Sequence, residues 1–205
     1  MLPGNAQILT CPHCGKKKEV MSLRSGNTFG SVLWSDNKRI SPMLPEISYV
    51  QKCPDCGYYY IMARQEVVYD DNDYSSERGL LTFPEMKEAF SQLAEEGFLD
   101  EKEEAGVRMM LHQAFNDYYH RYDKGKIVNE EDQIIFHENG LWLIDHLIED
   151  NVMKAEFLRE IGEMELAQST LDSVIPENDF IKDIASAIQE RINNNDCKVF
   201  RIEED

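Results

Sequence analysis

Nowhere in these 205 residues is there an apolar run approaching the roughly 20 residues that a membrane-spanning helix needs. A charged-then-apolar N-terminus of the secretory type is missing as well, so no membrane association is expected. Positive charge is scarce: 21 Lys and Arg stand against 39 Asp and Glu, a formal net charge of −18. An acidic body of that kind repels phosphate backbones, which counts against nucleic acid as the main partner. A Gly-rich phosphate loop followed by Lys-Ser/Thr, a nucleophile elbow and an H-E-x-x-H pair are all absent, so the motifs predict no enzymatic activity. Cysteine is scarce too. There are five, and leaving Cys197 odd fits a reducing, cytoplasmic setting better than a secreted disulfide scaffold.

The other four cysteines carry the strongest signal in the chain. Cys11-Pro12-His13-Cys14-Gly15 and Cys53-Pro54-Asp55-Cys56-Gly57 are matching knuckles with 38 residues between them. Two cysteines three positions apart can hold one ion only if the backbone turns sharply between them. Pro sets a dihedral of that turn, and the following Gly takes the left-handed conformation that points backbone N–H groups at sulfur. Two such pairs predict a Zn²⁺ site with Cys11, Cys14, Cys53 and Cys56 as ligands. Four protein ligands leave no open position, which makes the expected site structural. His13 lies inside the first knuckle, where a fifth ligand is not needed.

Alternating segments flank each knuckle: Gln7–Leu9 and Glu19–Leu23 around the first, Ile47–Lys52 and Tyr58–Met62 around the second. Strand, knuckle, strand, twice over, reads as a zinc ribbon. The expected fold class is therefore α+β, a four-cysteine zinc-ribbon β module over 1–64 followed by an all-α domain. Charge divides the same way. Residues 1–64 carry eight Lys/Arg and four acids, a formal +4, while the remaining 141 carry 13 and 35, a formal −22. Four thiolates around one Zn²⁺ would bring the head down to about +2.

Within the module, 24–46 is a long insert bearing Phe29, Trp34, Met43 and Leu44. It reads either as a cover over the ribbon or as a recognition loop, with Phe29, Trp34 and Met43 as partner-binding residues. Residues 65–81 read as an acidic linker. Its Asp70-Asp71-Asn72-Asp73 run starts like a calcium loop but lacks the later Gly and Glu.

From Thr82 to the end the pattern is helical, closing on a short strand-like tail at 198–202. Thr82-x-x-Glu85 is a capping box, Asp100-x-x-Glu103 and Asn129 start two further helices, and Asn178 or Asp179 caps the last. Ala155, Leu158, Gly162, Ala167, Leu171 and Val174 sit at the small and large positions of a tetratricopeptide helix pair, a pattern that an ordinary αα-hairpin also produces. Gly162 and Ala167 are expected to face each other where the pair packs closest. Asp117-x-x-His120, with His112, His137 and His146 nearby, is an incomplete version of a helical metal site. Phe115, Tyr118, Tyr119 and Tyr122 at helical spacing read as core and core-edge residues before they read as a base-stacking surface.

The layout of Cys-Pro-x-Cys, long insert, Cys-Pro-x-Cys-Gly and tetratricopeptide-like helices resembles an uncharacterised bacterial family, domain of unknown function 2225. The resemblance covers most of the chain and implies Cys11, Cys14, Cys53 and Cys56 as ligands. It implies no activity. The functional expectation is a zinc-binding, non-enzymatic scaffold for a protein or peptide partner. The alternatives are nucleic-acid recognition through Lys16–Lys18, Lys38, Arg39 and Trp34, and an enzyme with a second metal site among the helices.

Overall fold

A computed structural model describes residues 2–5, 7–69, 79–122 and 125–202. The chain is α+β: strands β1 (Leu2–Pro3), β2 (Gln7–Thr10), β3 (Lys17–Val20), β4 (Leu23–Ser25), β5 (Val32–Trp34), β6 (Arg39–Ile40), β7 (Val50–Lys52) and β8 (Tyr59–Ile61) precede six helices among the described residues. The helices are α1 (Phe83–Glu96), α2 (Glu101–Tyr119), α3 (Glu130–His146), α4 (Asn151–Glu160), α5 (Met164–Leu171) and α6 (Asp179–Asn193), and β9 (Arg201–Ile202) follows. The calcium-loop-like run and most of the expected linker, 70–78, lie outside the described residues.

The compact units are not the expected ones. One is Met1–Ser31 with Arg39–Val107, the other Val32–Lys38 with Arg108–Asp205. The insert is therefore divided, and α1 belongs with the cysteine hairpins rather than with the later helices.

In the first unit β2 pairs antiparallel with β3 and β7 with β8, so that Thr10↔Lys17 and Lys52↔Tyr59 close the ladders beside the two knuckles. Leu9, Cys11, Val20, Cys53 and Tyr60 form one buried cluster. The α1 face Phe83, Met86, Ala89 and Leu93 is buried, at the spacing of a helix stripe. Its docking is specific. Gln92 accepts from the Tyr59 N–H at 3.1 Å and donates to the Tyr59 carbonyl at 2.8 Å, supplying β8 with the bonds a neighbouring strand would make. Tyr59 Oη donates to Glu88 at 2.8 Å and Tyr58 Oη to Glu96 at 2.6 Å. These contacts explain the corrected boundary: the charged face of α1 holds the second hairpin, which sequence periodicity cannot reveal.

In the second unit β5 and β9 pair antiparallel, Leu33 with Ile202 and Trp34 with Arg201. Val152, Ala155, Leu171, Ile188 and Phe200 make a buried cluster. The expected caps form: Asn129 accepts from the Asp132 N–H at 2.8 Å, and Asn178 from the Ile181 N–H at 2.9 Å. Ala167 is buried as expected, but Gly162 is not part of a close helix seam. It is exposed at φ 92° in the turn between α4 and α5, with no atom within 4 Å of where its Cβ would stand. Glycine is there for the left-handed turn. The intimate contact is made instead by Gly140 of α3, where an added Cβ would stand 2.4 Å from Ile161 Cγ2. Gly140→Ala should therefore destabilise, because overpacking of roughly 1–3 kcal/mol opposes a helix-propensity gain of about 1 kcal/mol. Urea denaturation reads the difference, and a more stable variant would show that Ile161 swings aside freely.

Candidate metal centre

Each knuckle is a short turn closed by backbone bonds of the same pattern. The Gly15 N–H reaches the Cys11 carbonyl at 3.0 Å and the Gly57 N–H the Cys53 carbonyl at 2.9 Å. Gly15 and Gly57 sit at φ 72° and 74°, the left-handed region that a side chain would strain. Cys11 and Cys53 are buried beneath the hairpins while Cys14 and Cys56 are exposed.

The four sulfurs converge, all within 4.8 Å of one another. Cys11 Sγ lies 3.8 Å from Cys56 Sγ, and Cys14 Sγ 3.6 Å from Cys53 Sγ. A tetrahedron of thiolates about 2.3 Å from a central ion has edges of about 3.8 Å. The cluster could therefore hold a metal ion, with each hairpin giving one buried and one exposed ligand. Its surroundings favour thiolate at Cys53 but not at Cys11 or Cys56: burial raises Cys11, and, against a bond from the Tyr58 backbone, desolvation with the neighbouring thiols raises Cys56 to about 12. Burial works against ionisation of Cys53, but the N–H groups of Cys56 and Asp55 and the adjacent thiols bring it down to about 7. Lys18 is buried beside the cluster and donates to the Lys52 carbonyl at 3.0 Å, tying β3 to β7. His13 stacks on Tyr58 with ring centroids 4.9 Å apart, outside the four-sulfur group.

The other expected site residues scatter. His112 meets Glu160 at 2.7 Å, His137 meets Glu163 at 2.7 Å, His120 meets Asn116 at 3.2 Å, and His146 meets the Trp142 carbonyl at 2.9 Å. Asp117 is engaged by Lys38 and Arg121 instead of a histidine. Among the described residues the four cysteines are the only metal-ligating group of three or more. Phe115 and Tyr119 are buried, Tyr119 donating to Asp132.

The three residues expected to meet a partner have different fates. Phe29 is 82% exposed and Met43 46% exposed, but Trp34 is only 7% exposed. The expectation that Trp34 offers a contact surface is corrected. Its ring lies under the Arg121 guanidinium at 4.6 Å and edge-on to Tyr122 at 6.4 Å. Strand pairing with β9 places it there. Met43 lines a cleft of about 600 Å³ in the first unit, with Met21, Leu44 and Ile47.

A buried ionic network in the second unit has no counterpart in the sequence reading. Asp36, His112, Asn116, Glu156, Arg159 and Glu160 are all fully or almost fully buried. Arg121 bonds Asp36, Asn116 donates to Asp36 at 3.2 Å and to Glu160 at 3.0 Å, and Arg159 Nε donates to Glu156 at 2.9 Å. Burial raises Glu156 to about 7 against the pull of Arg159. Burial and the nearby Asp36 charge likewise raise Glu160 to about 7. His112, between the Phe136 and Phe157 rings at 4.5 Å each, is lowered by burial to about 4. No sequence motif marks this network, because Asp36 lies 80 residues from Asn116 in the chain.

Among the described residues no helix is long and apolar enough to cross a membrane. Set beside known proteins, the chain matches no family model, no curated protein and no solved structure.

Proposed function

We propose that Cys11, Cys14, Cys53 and Cys56 hold one structural Zn²⁺, and that the protein is a non-enzymatic scaffold for a protein or peptide partner in a reducing, cytoplasmic setting. The carrying observation is a group of four sulfurs within 4.8 Å of one another, two of its edges near tetrahedral length, that joins two hairpins. Thiolate-only coordination suits Zn²⁺ and leaves no open position for water or substrate. Zinc would then crosslink a unit whose hairpins are too short to be stable alone.

The nucleic-acid alternative loses support from the placement of its residues. Lys18 and Lys38 are buried and engaged, by the Lys52 carbonyl and by Asp117, and Trp34 is buried. Metal analysis of the purified full-length protein should find one zinc per chain, and mixed-sequence DNA and RNA should bind no tighter than background. Less than half an equivalent of zinc would sink the metal reading. Micromolar nucleic-acid binding that weakens steeply with salt and disappears when Lys16, Lys17 and Lys18 become Ala would replace the scaffold reading with nucleic-acid recognition.

A further inference from the structure

The geometry points to a peptide-binding groove in the first unit that takes an extended partner segment carrying Lys or Arg next to apolar side chains. This rests on the scaffold reading and names the chemistry of its partner. The groove encloses about 600 Å³, within the range of sites that bury a ligand rather than graze it. Its apolar wall includes Met21, Met43, Leu44 and Ile47, and Met43 and Ile47 are substantially exposed.

Two carboxylates in that wall are without donors. Glu19 and Glu46 line it, and neither carboxylate has a hydrogen bond or ion pair among the described residues. Gln51 lies in the same wall, its amide nitrogen held by the Ser48 carbonyl. Two unpaired carboxylates select a donor that is cationic.

Strand edges argue for a peptide over a small amine. Val20 of β3 and Gln51 of β7 both line the groove. β3 pairs only with β2, so its other edge is open among the described residues, whereas the Val50 and Lys52 carbonyls of β7 already accept from Ser48 Oγ and Lys18 Nζ. The outer edge of β8 is the one that Gln92 closes. An extended chain can bond to an open strand edge while alternate side chains enter an apolar wall.

The test uses zinc-loaded full-length protein and fluorescein-labelled hexapeptides that alternate Leu with Arg or Leu with Glu, read by polarisation. The Leu-Arg peptide should saturate one site and bind at least tenfold more tightly than the Leu-Glu peptide. The double variant Glu19→Gln/Glu46→Gln should weaken it roughly five- to tenfold, as two charge contacts would, and Ile47→Asp should weaken it independently. Because the whole chain is acidic, Glu165→Gln/Glu190→Gln in the second unit is the control and should leave affinity unchanged. Equal binding of both peptides, or equal loss in the control variant, overturns the groove. Zinc content measured on the same sample separates the two readings. A zinc-replete protein without peptide preference refutes the groove alone, and a zinc-poor protein that keeps the preference refutes the metal alone.

Discussion

On the proposed zinc reading, removing the ion with a chelator, or replacing Cys53 with Ser, should unfold the first unit and leave α3–α6 standing. The hairpins β2–β3 and β7–β8 have four and three residues per strand, and two-stranded hairpins of that size are marginal in water. Their shared core, Leu9, Val20 and Tyr60, is built around Cys11 and Cys53. Structural zinc contributes about 10–16 kcal/mol in small thiolate domains, far more than so few apolar side chains can supply. Helix α1 should loosen with the hairpins, since Gln92, Glu88 and Glu96 are anchored to Tyr58 and Tyr59. Hydrogen exchange resolved by segment is the measurement. Protection of residues 7–20, 50–61 and 83–96 should collapse while that of 151–193 persists. Unchanged protection in the hairpins after complete metal removal would show that the cysteine cluster is incidental to the fold.

Arg159→Ala should be among the most damaging single changes in the second unit, and its cost should grow with pH. Arg159 is buried, donates to Glu156 and to the Asp196 carbonyl, and has Phe200 beside its guanidinium. Breaking a buried pair by removing one partner typically costs about 3–5 kcal/mol, because the other charge stays behind. Glu156 has an escape, protonation. Its folded pKa is already raised to about 7 by burial, against 4.5 as its ordinary value. A carboxyl raised in this way gives its full contribution to stability below about pH 4.5 and loses it as pH rises towards 7. Without Arg159 the folded value moves higher still, so the loss continues beyond pH 7. His112 and His120, both lowered to about 4, act in the opposite sense between about pH 4 and 6.5; because the Arg159 charge helps to lower His120, its removal eases that penalty at pH 5.5 and adds to the difference. Urea denaturation at pH 5.5 and pH 8 should therefore show a larger deficit at pH 8. An equal deficit at both, or one below about 1 kcal/mol at pH 8, would mean that Glu156 finds another partner.

These two expectations differ in how far the sequence announces them. Everything about the metal centre that depends on residues close in the chain was legible. Cys-Pro-x-Cys-Gly specifies a turn, two copies specify a cysteine cluster, and the flanking alternation specifies hairpins, which form at Gln7–Thr10, Lys17–Val20, Val50–Lys52 and Tyr59–Ile61, with the strand expected at Glu19–Leu23 starting earlier and ending at Val20. The helix starts were equally local. Thr82 with Glu85, Asp100 with Glu103, Asn129 with Asp132 and Asn178 with Ile181 are bonds across three residues.

Gly162 shows where that kind of reading ends. A glycine between two helical patterns can serve a turn or a close seam, and the pattern is the same for both. Only the packing assigns the seam to Gly140 and the turn to Gly162. Trp34 is a similar case. An aromatic residue in a loop-like insert looks like a contact residue until the tail at Arg201–Ile202 pairs with Val32–Trp34.

The sequence by itself determined the two cysteine knuckles, the hairpins around them, the helix starts and the acidic charge balance, because each follows from neighbours a few positions apart or from composition alone. Tertiary structure decided which segments share a core. It placed α1 with the cysteine hairpins and 32–38 with the later helices. It also gathered Asp36, Asn116, Arg121, Glu156 and Glu160 into one buried network, and opened a groove beside Met43. The physical reason is that burial, and with it the raising of a carboxyl pKa or the pairing of a buried cation, belongs to what surrounds a side chain in three dimensions. Contacts that span 80 residues leave no periodicity along the chain from which that surrounding could be read.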